Sequence, residues 1–201
     1  MTMPDRPRRR RRAGQALVEF ALILPLVVTL VLSVAEVGVA IGTNMSLVLA
    51  TREGARVGAA LVNGGGAPGC GPGQSPNAAS VDPQIIASVE RALTSQGSGI
   101  DLSRVDWIHI YQATASGGEA LVNTWVPGSG PAVDGVALHF APAGISWQAC
   151  SRTSTLPADS IGVSIRYRHR LFTPLSAITG LFGTNEIVMT DRTVMALEPS
   201  Q

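Results

Sequence analysis

Chemistry in this 201-residue chain must start from three histidines, two cysteines, fourteen acids and fifteen basic residues. Every basic residue is arginine. The absence of lysine excludes a phosphate-loop lysine, a Schiff-base lysine and the ATP-binding lysine of a kinase. His109, His139 and His169 are isolated from one another, with no H-E-x-x-H pair. They read as satisfied strand histidines rather than metal ligands. No G-x-S-x-G nucleophile turn is present. The glycine-rich stretch 64–73 lacks the strand, helix and lysine of a phosphate loop, so it reads as a linker. The acids are too scattered to name a general acid–base pair. Two cysteines are too few for a cysteine-based zinc site. Cys70 and Cys150 both fall in loops and in an oxidising compartment would form a disulfide, the alternative being two free thiols. The chain therefore reads as noncatalytic, with no cofactor and no metal.

The elements that carry these groups begin with a charge run. Arg6 and the run from Arg8 to Arg12 supply six of the fifteen arginines, and Asp5 is the only acid beside them. Beyond that leader, nine arginines face thirteen acids, a net of −4. An apolar segment follows at once: residues 20–35 carry no charge, and residues 20–41 carry only Glu36. A 22-residue helix is about 33 Å long, the thickness of a bilayer core. The segment predicts a membrane-inserted helix. Arginines on its N-terminal side put the N-terminus in the cytoplasm and the bulk of the chain outside. With that assignment the arginine run reads as an anchor, and no nucleic-acid partner is expected. Glu19 and Glu36 stand at either end of the span. A carboxylate at membrane depth costs about 2–3 kcal/mol, so such groups need a partner or a route to water.

The residues around Glu19 read Gly14-Gln15-Ala16-Leu17-Val18-Glu19-Phe20. A basic leader, a glycine, four residues, a glutamate, an aromatic and an apolar helix together resemble the processing site of type IV prepilins. Further on, the run from Glu19 to Pro25, the step Ala35-Glu36-Val37-Gly38 and the segment Ala50-Thr51-Arg52-Glu53-Gly54-Ala55-Arg56 resemble the TadE-like family. That family comprises minor pilins or pseudopilins of tight-adherence, Flp-type pili. The resemblance covers residues 14–60 and, more loosely, 161–198; residues 63–158 are unmatched. It implies a bacterial cell-membrane protein, and cleavage between Gly14 and Gln15 by a prepilin peptidase. It also implies other pilin subunits and the assembly machinery as partners, with Glu19 pairing a neighbour's new N-terminal amine. Helix geometry fits such pairing, since Gln15 and Glu19 lie about 6 Å apart along the axis. In lipid an unpaired carboxylate and an unpaired ammonium are both costly, and staggered subunits relieve both.

Past the membrane the helix pattern continues to residue 60. Gly38, Gly42, Ser46, Ala50, Gly54 and Gly58 repeat every four residues, a seam of small side chains on one face. Arg52, Glu53 and Arg56 flank it at pairing distance. The seam admits two uses, packing on a partner helix or on the chain's own outer domain. Residues 63–80 form a glycine- and proline-rich loop. Asp82-Pro83 predicts a helix start, with an apolar stripe of Ile85, Ile86, Val89 and Leu93 and an end at Gly97. Strands are expected at 105–112 and 121–126 around a turn at 116–119, at 161–167 with a basic outer face, and at 186–197; a short helix is expected at 173–182. The fold class is α+β. A long N-terminal helix, membrane-inserted in its first half, precedes a small, mainly antiparallel sheet domain with short helices, residues 81–201. Two other readings stay open: an uncleaved single-pass anchor presenting a binding domain, and a secreted domain released near Gly38-Val39-Ala40 by signal peptidase.

Overall fold

The structure is a computed structural model that describes residues 8–61, 78–154, 157–171 and 185–197. Helix α1 spans Arg8–Ala60. The chain divides into two units: Met1–Val39 with Leu171–Asn185, and Ala40–Arg170 with Glu186–Gln201.

In the first unit, the apolar part of α1 presents its side chains outward; Leu22, Leu26, Leu30 and Val34 are all more than 60% exposed. Pro25 sits inside this helix. It removes one backbone donor there. Two hydroxyls on the same stretch are satisfied within the helix: Thr29 donates to the Pro25 carbonyl at 2.7 Å, and Ser33 to the Thr29 carbonyl at 2.8 Å. Neither hydroxyl adds an unpaired donor to the apolar surface.

The second unit is a sheet with helices on one face. Helix α2 runs Ala78–Leu93. The strands are β1 (Val105–Ala113), β2 (Glu119–Pro127), β3 (Ala132–Val133), β4 (Val136–Ala137), β5 (Phe140–Ile145), β6 (Ser160–Arg170) and β7 (Glu186–Ala196). Five of them form an antiparallel sheet in the order β5-β2-β1-β6-β7, and β3 and β4 make a separate hairpin. The hairpin turns at Asp134-Gly135, with φ of 52° and 81°. That left-handed pair suits Asp-Gly.

Strand alternation sorts the sheet into two faces. Ile108 and Ile110 of β1 stand opposite Ile165 and Val163 of β6, and all four are fully buried. They join Ile85, Ile86, Val89 and Leu93 of α2 and Leu47, Ala50 and Ala55 of α1 in one core cluster. The other face carries Trp107, His109 and Tyr111 along β1, with Gly162, Ser164, Arg166 and Arg168 across from them on β6. Tyr111 lies over Gly162, where an added Cβ would collide with the phenol ring. Half of the β6 outer face is therefore not solvated: Ser164 is 1% exposed, whereas Arg166 and Arg168 are open.

Several expected boundaries need correction. Helix α2 starts at Ala78, before Asp82-Pro83, so Pro83 lies inside the helix and Asp82 does not cap it. The Asp82 carboxylate is committed elsewhere, to Arg152 at 2.6 Å and Asn123 at 2.6 Å. His139 stands in a bend before β5 rather than in a strand. Residues 127–158, for which the sequence suggested no element, contain β3, β4, β5 and a 3-10 turn at Ala149–Ser151. The helix expected at 173–182 lies outside the described residues.

Candidate functional site

Both carboxylates of the apolar segment are on α1. Glu19 is exposed, and the Gln15 side-chain amide donates to its Oε1 at 3.2 Å across one turn. The structure thus brings together Gln15 and Glu19, one turn beyond Gly14. No described residue lies within 4 Å of where a Gly14 Cβ would sit. Phe20 is 60% exposed on the same stretch. Glu36 differs: it is 6% exposed, so it does not reach freely into water as its position near the end of the span would suggest.

Beyond residue 40 the helix meets the sheet, and the small-residue seam divides. A Cβ on Gly54 would stand 2.6 Å from Val89 Cγ2 and 3.3 Å from Val163 Cγ1. One on Gly58 would stand 2.7 Å from Ile161 Cδ1 and 3.1 Å from Ile85 Cδ1. These two glycines let α1 pack closely on its own sheet and on α2. Ala50 is fully buried, and the Ser46 hydroxyl is 3.3 Å from the Ser98 carbonyl. Gly38 and Gly42 are exposed, and a Cβ added at either would meet no described residue within 4 Å.

Thr51 is fully buried, and its hydroxyl donates to the Asp191 carboxylate and lies 3.0 Å from the Thr193 hydroxyl on β7. Arg52 points to solvent. Arg56 grips Glu53 with two hydrogen bonds, Nε to Oε2 at 3.0 Å and Nη2 to Oε1 at 2.7 Å. That bond, ahead of the opposing effect of burial, holds the Glu53 carboxyl below its ordinary range.

Residues 14–56 match the family model for TadE-like proteins. The match takes in the Gly14–Phe20 pattern, Pro25, Glu36 and Gly38, and closes on Arg56. The looser resemblance over residues 161–198 is not part of it, and the sheet lies largely beyond it. No curated protein and no solved structure matches the chain. Within the TadE-like segment, α1 is long and apolar enough to cross a membrane, and it fits a single-pass membrane protein.

Other polar groups on the sheet are structural in their geometry. Asn123 is fully buried; its amide donates to Asp82 and to the Trp147 carbonyl, and its oxygen accepts from the Ser146 and Trp147 amides. Arg152 completes this knot, paired with Asp82 and stacked 4.5 Å from the Trp147 ring. Sequence reading missed it because its members lie up to 70 residues apart. The one signal present, Asp82 beside Pro83, resembled a cap. His109 bonds Glu119 at 2.9 Å and stacks on Trp107, while His139 bonds Glu90 at 3.1 Å. Glu119 takes its second bond from the Ser164 hydroxyl, which is 1% exposed, and Glu90 from the His139 amide. Among the described residues, no three His, Cys, Asp or Glu are placed to hold a metal. Cys150 sits in the Ala149–Ser151 turn; Cys70, its expected disulfide partner, lies outside the described residues.

Proposed function

We propose that this chain is a noncatalytic minor pilin or pseudopilin of a tight-adherence, Flp-type pilus. On this reading it sits in the bacterial cell membrane by one span, with its N-terminus cytoplasmic and its sheet domain outside. A prepilin peptidase removes residues 1–14. The observation that supports it is the TadE-like match over residues 14–56, coincident with an exposed apolar helix. The chemistry is that of assembly rather than turnover. Cleavage after Gly14 turns Gln15 into a cationic terminus one helical turn from Glu19. In lipid each charge then favours a partner on an adjacent subunit. Loss of the arginine leader also removes the charge that holds the N-terminus on the cytoplasmic face. Outside the cytoplasm, Cys70 and Cys150 would bond and tie the loop after α1 to the sheet.

The test is the mature N-terminus of the protein in membranes of its own host, read by mass spectrometry. This reading expects Gln15. An N-terminus at Ile41 would make the chain a secreted domain released by signal peptidase, and an intact Met1 or Thr2 would make it an uncleaved anchor.

A further inference from the structure

The open face of the sheet has a basic end, and contacts on its other face fix where that end lies along α1. The Thr43 hydroxyl lies 3.5 Å from His169 Nδ1, Thr51 bonds Asp191 opposite Ile165, and Gly58 packs against Ile161. Strand β6 therefore runs antiparallel to α1, and its last residues lie level with Thr43. Thr43 is two residues, about 3 Å of helix rise, beyond Ile41, where the apolar segment closes.

Four arginines gather at this end. Arg168 and Arg166 share Asp106, at 2.7 and 3.4 Å, and Arg104 pairs Glu186 at 2.7 Å. Arg170 is exposed and makes no ion pair with a described residue. Four guanidiniums against Asp106, Glu186 and Asp101, which caps the turn carrying Arg104, leave a local charge of +1, in a chain whose net beyond the leader is −4. An aliphatic group is open on the same face: Val188, opposite Arg168 on β7, is 50% exposed. Arginines around an exposed aliphatic group fit the polar layer of a bilayer, where the stems lie on lipid and the guanidiniums reach phosphate.

We propose that this end of the sheet docks on the outer leaflet through anionic phospholipid headgroups, with Arg168 and Arg170 as the main contacts. The contact fixes how the domain sits on its own membrane before any subunit is met. The proposal rests on the membrane-inserted reading of α1.

Binding of phosphatidylglycerol and of phosphatidylcholine to the full chain in detergent micelles can be counted by native mass spectrometry, with alkaline extraction of reconstituted vesicles run in parallel. The arginine leader supplies its own anionic-lipid binding, which is the same in all variants and cancels in the comparison. Expected is the loss of one tight phosphatidylglycerol step in R168Q/R170Q, its affinity falling roughly five-fold per arginine. Phosphatidylcholine binding should not change, R168K/R170K should keep the step, and R192Q, further up the same face, should leave it intact. Equal phosphatidylglycerol binding by R168Q/R170Q and the parent chain overturns the proposal, as does an equal loss in R192Q. Extraction of the chain by alkali overturns the membrane reading and this contact with it; resistance to alkali with unaltered lipid binding overturns the contact alone.

Discussion

Replacing Gly54 with alanine sets two effects of known sign against each other. A mid-helix Gly→Ala change raises helix stability by up to about 1 kcal/mol. Against that, the new methyl would lie 2.6 Å from Val89 Cγ2 and 3.3–3.4 Å from both Val163 methyls. Carbon pairs settle near 3.5–4.0 Å, so Val89 must retreat by about 1 Å. Valine has little freedom at χ1, and Val89 is fully buried in the core cluster, so the backbone of α2 has to move. Overpacking of this kind costs about 1–3 kcal/mol. With the propensity gain fully realised the net expected is a loss of up to about 2 kcal/mol, or as much as roughly 8 °C in Tm for a chain of this size. Gly42→Ala is the internal control: it meets nothing within 4 Å and should keep its propensity gain. Gly58→Ala falls between, because the group it displaces first, Ile161 Cδ1, is the end of a longer side chain. The assay is thermal unfolding of the full chain in detergent, followed by tryptophan fluorescence from the sheet domain. An increase in Tm for Gly54→Ala equal to that for Gly42→Ala would show that α1 does not bear on α2 and the sheet, and would refute the reasoning.

Glu19→Ala should insert into membranes as well as the parent chain, or better, since it removes a carboxylate from the apolar helix, while co-purification with other pilin subunits falls; unchanged co-purification removes the pairing role. Asp82→Ala strands the fully buried Arg152 and should lower stability by about 3–5 kcal/mol in urea titration, whereas Asp82→Leu with Arg152→Met should lose much less. Burial, then the nearby Glu119 charge, raises the Tyr111 phenol above its usual value. Stability from this group is full below pH 10 and is lost as pH rises through the folded-state value. Absorbance at 295 nm should show a phenol titrating late, and Tyr111→Phe should abolish that step without lowering stability, because the buried hydroxyl has no hydrogen-bond partner among the described residues to lose.

What the sequence made legible was local or periodic. The uncharged run after the arginine leader, the four-residue spacing from Gly38 to Gly58, the α2 stripe and the alternation at Ile161, Val163, Ile165 and Tyr167 all report on a single element. The strands expected at 105–112 and 161–167 are observed at Val105–Ala113 and Ser160–Arg170, and the α2 stripe lies within Ala78–Leu93. The seam's role was ambiguous in sequence because spacing places Gly54 and Gly58 on one face without saying what covers it; Val89, Val163 and Ile161 do. The elements in residues 127–158 escaped because β3 and β4 are two residues long and β5 contains Pro142. Such a strand is tolerated at a sheet edge, and β5 is an edge strand. The Asp82 knot and the Thr51–Asp191 contact join residues far apart in the chain, and neither alters the periodicity of its own element.

The bond between Thr51 and Asp191 spans 140 residues, and it has a consequence for the order of events in synthesis. A chain emerging N-terminus first presents α1 well before β7. Strand β6 has β1 on one side, but its other edge stays open until residues 186–196 arrive. Through that interval the face of α1 with Thr51 and the bare backbone at Gly54 waits for its cover. Non-local closure of this kind is slow and leaves an unpaired edge exposed in the meantime. A truncation that removes β7 would thus leave α1 formed and the domain unfinished, with an unpaired edge along β6.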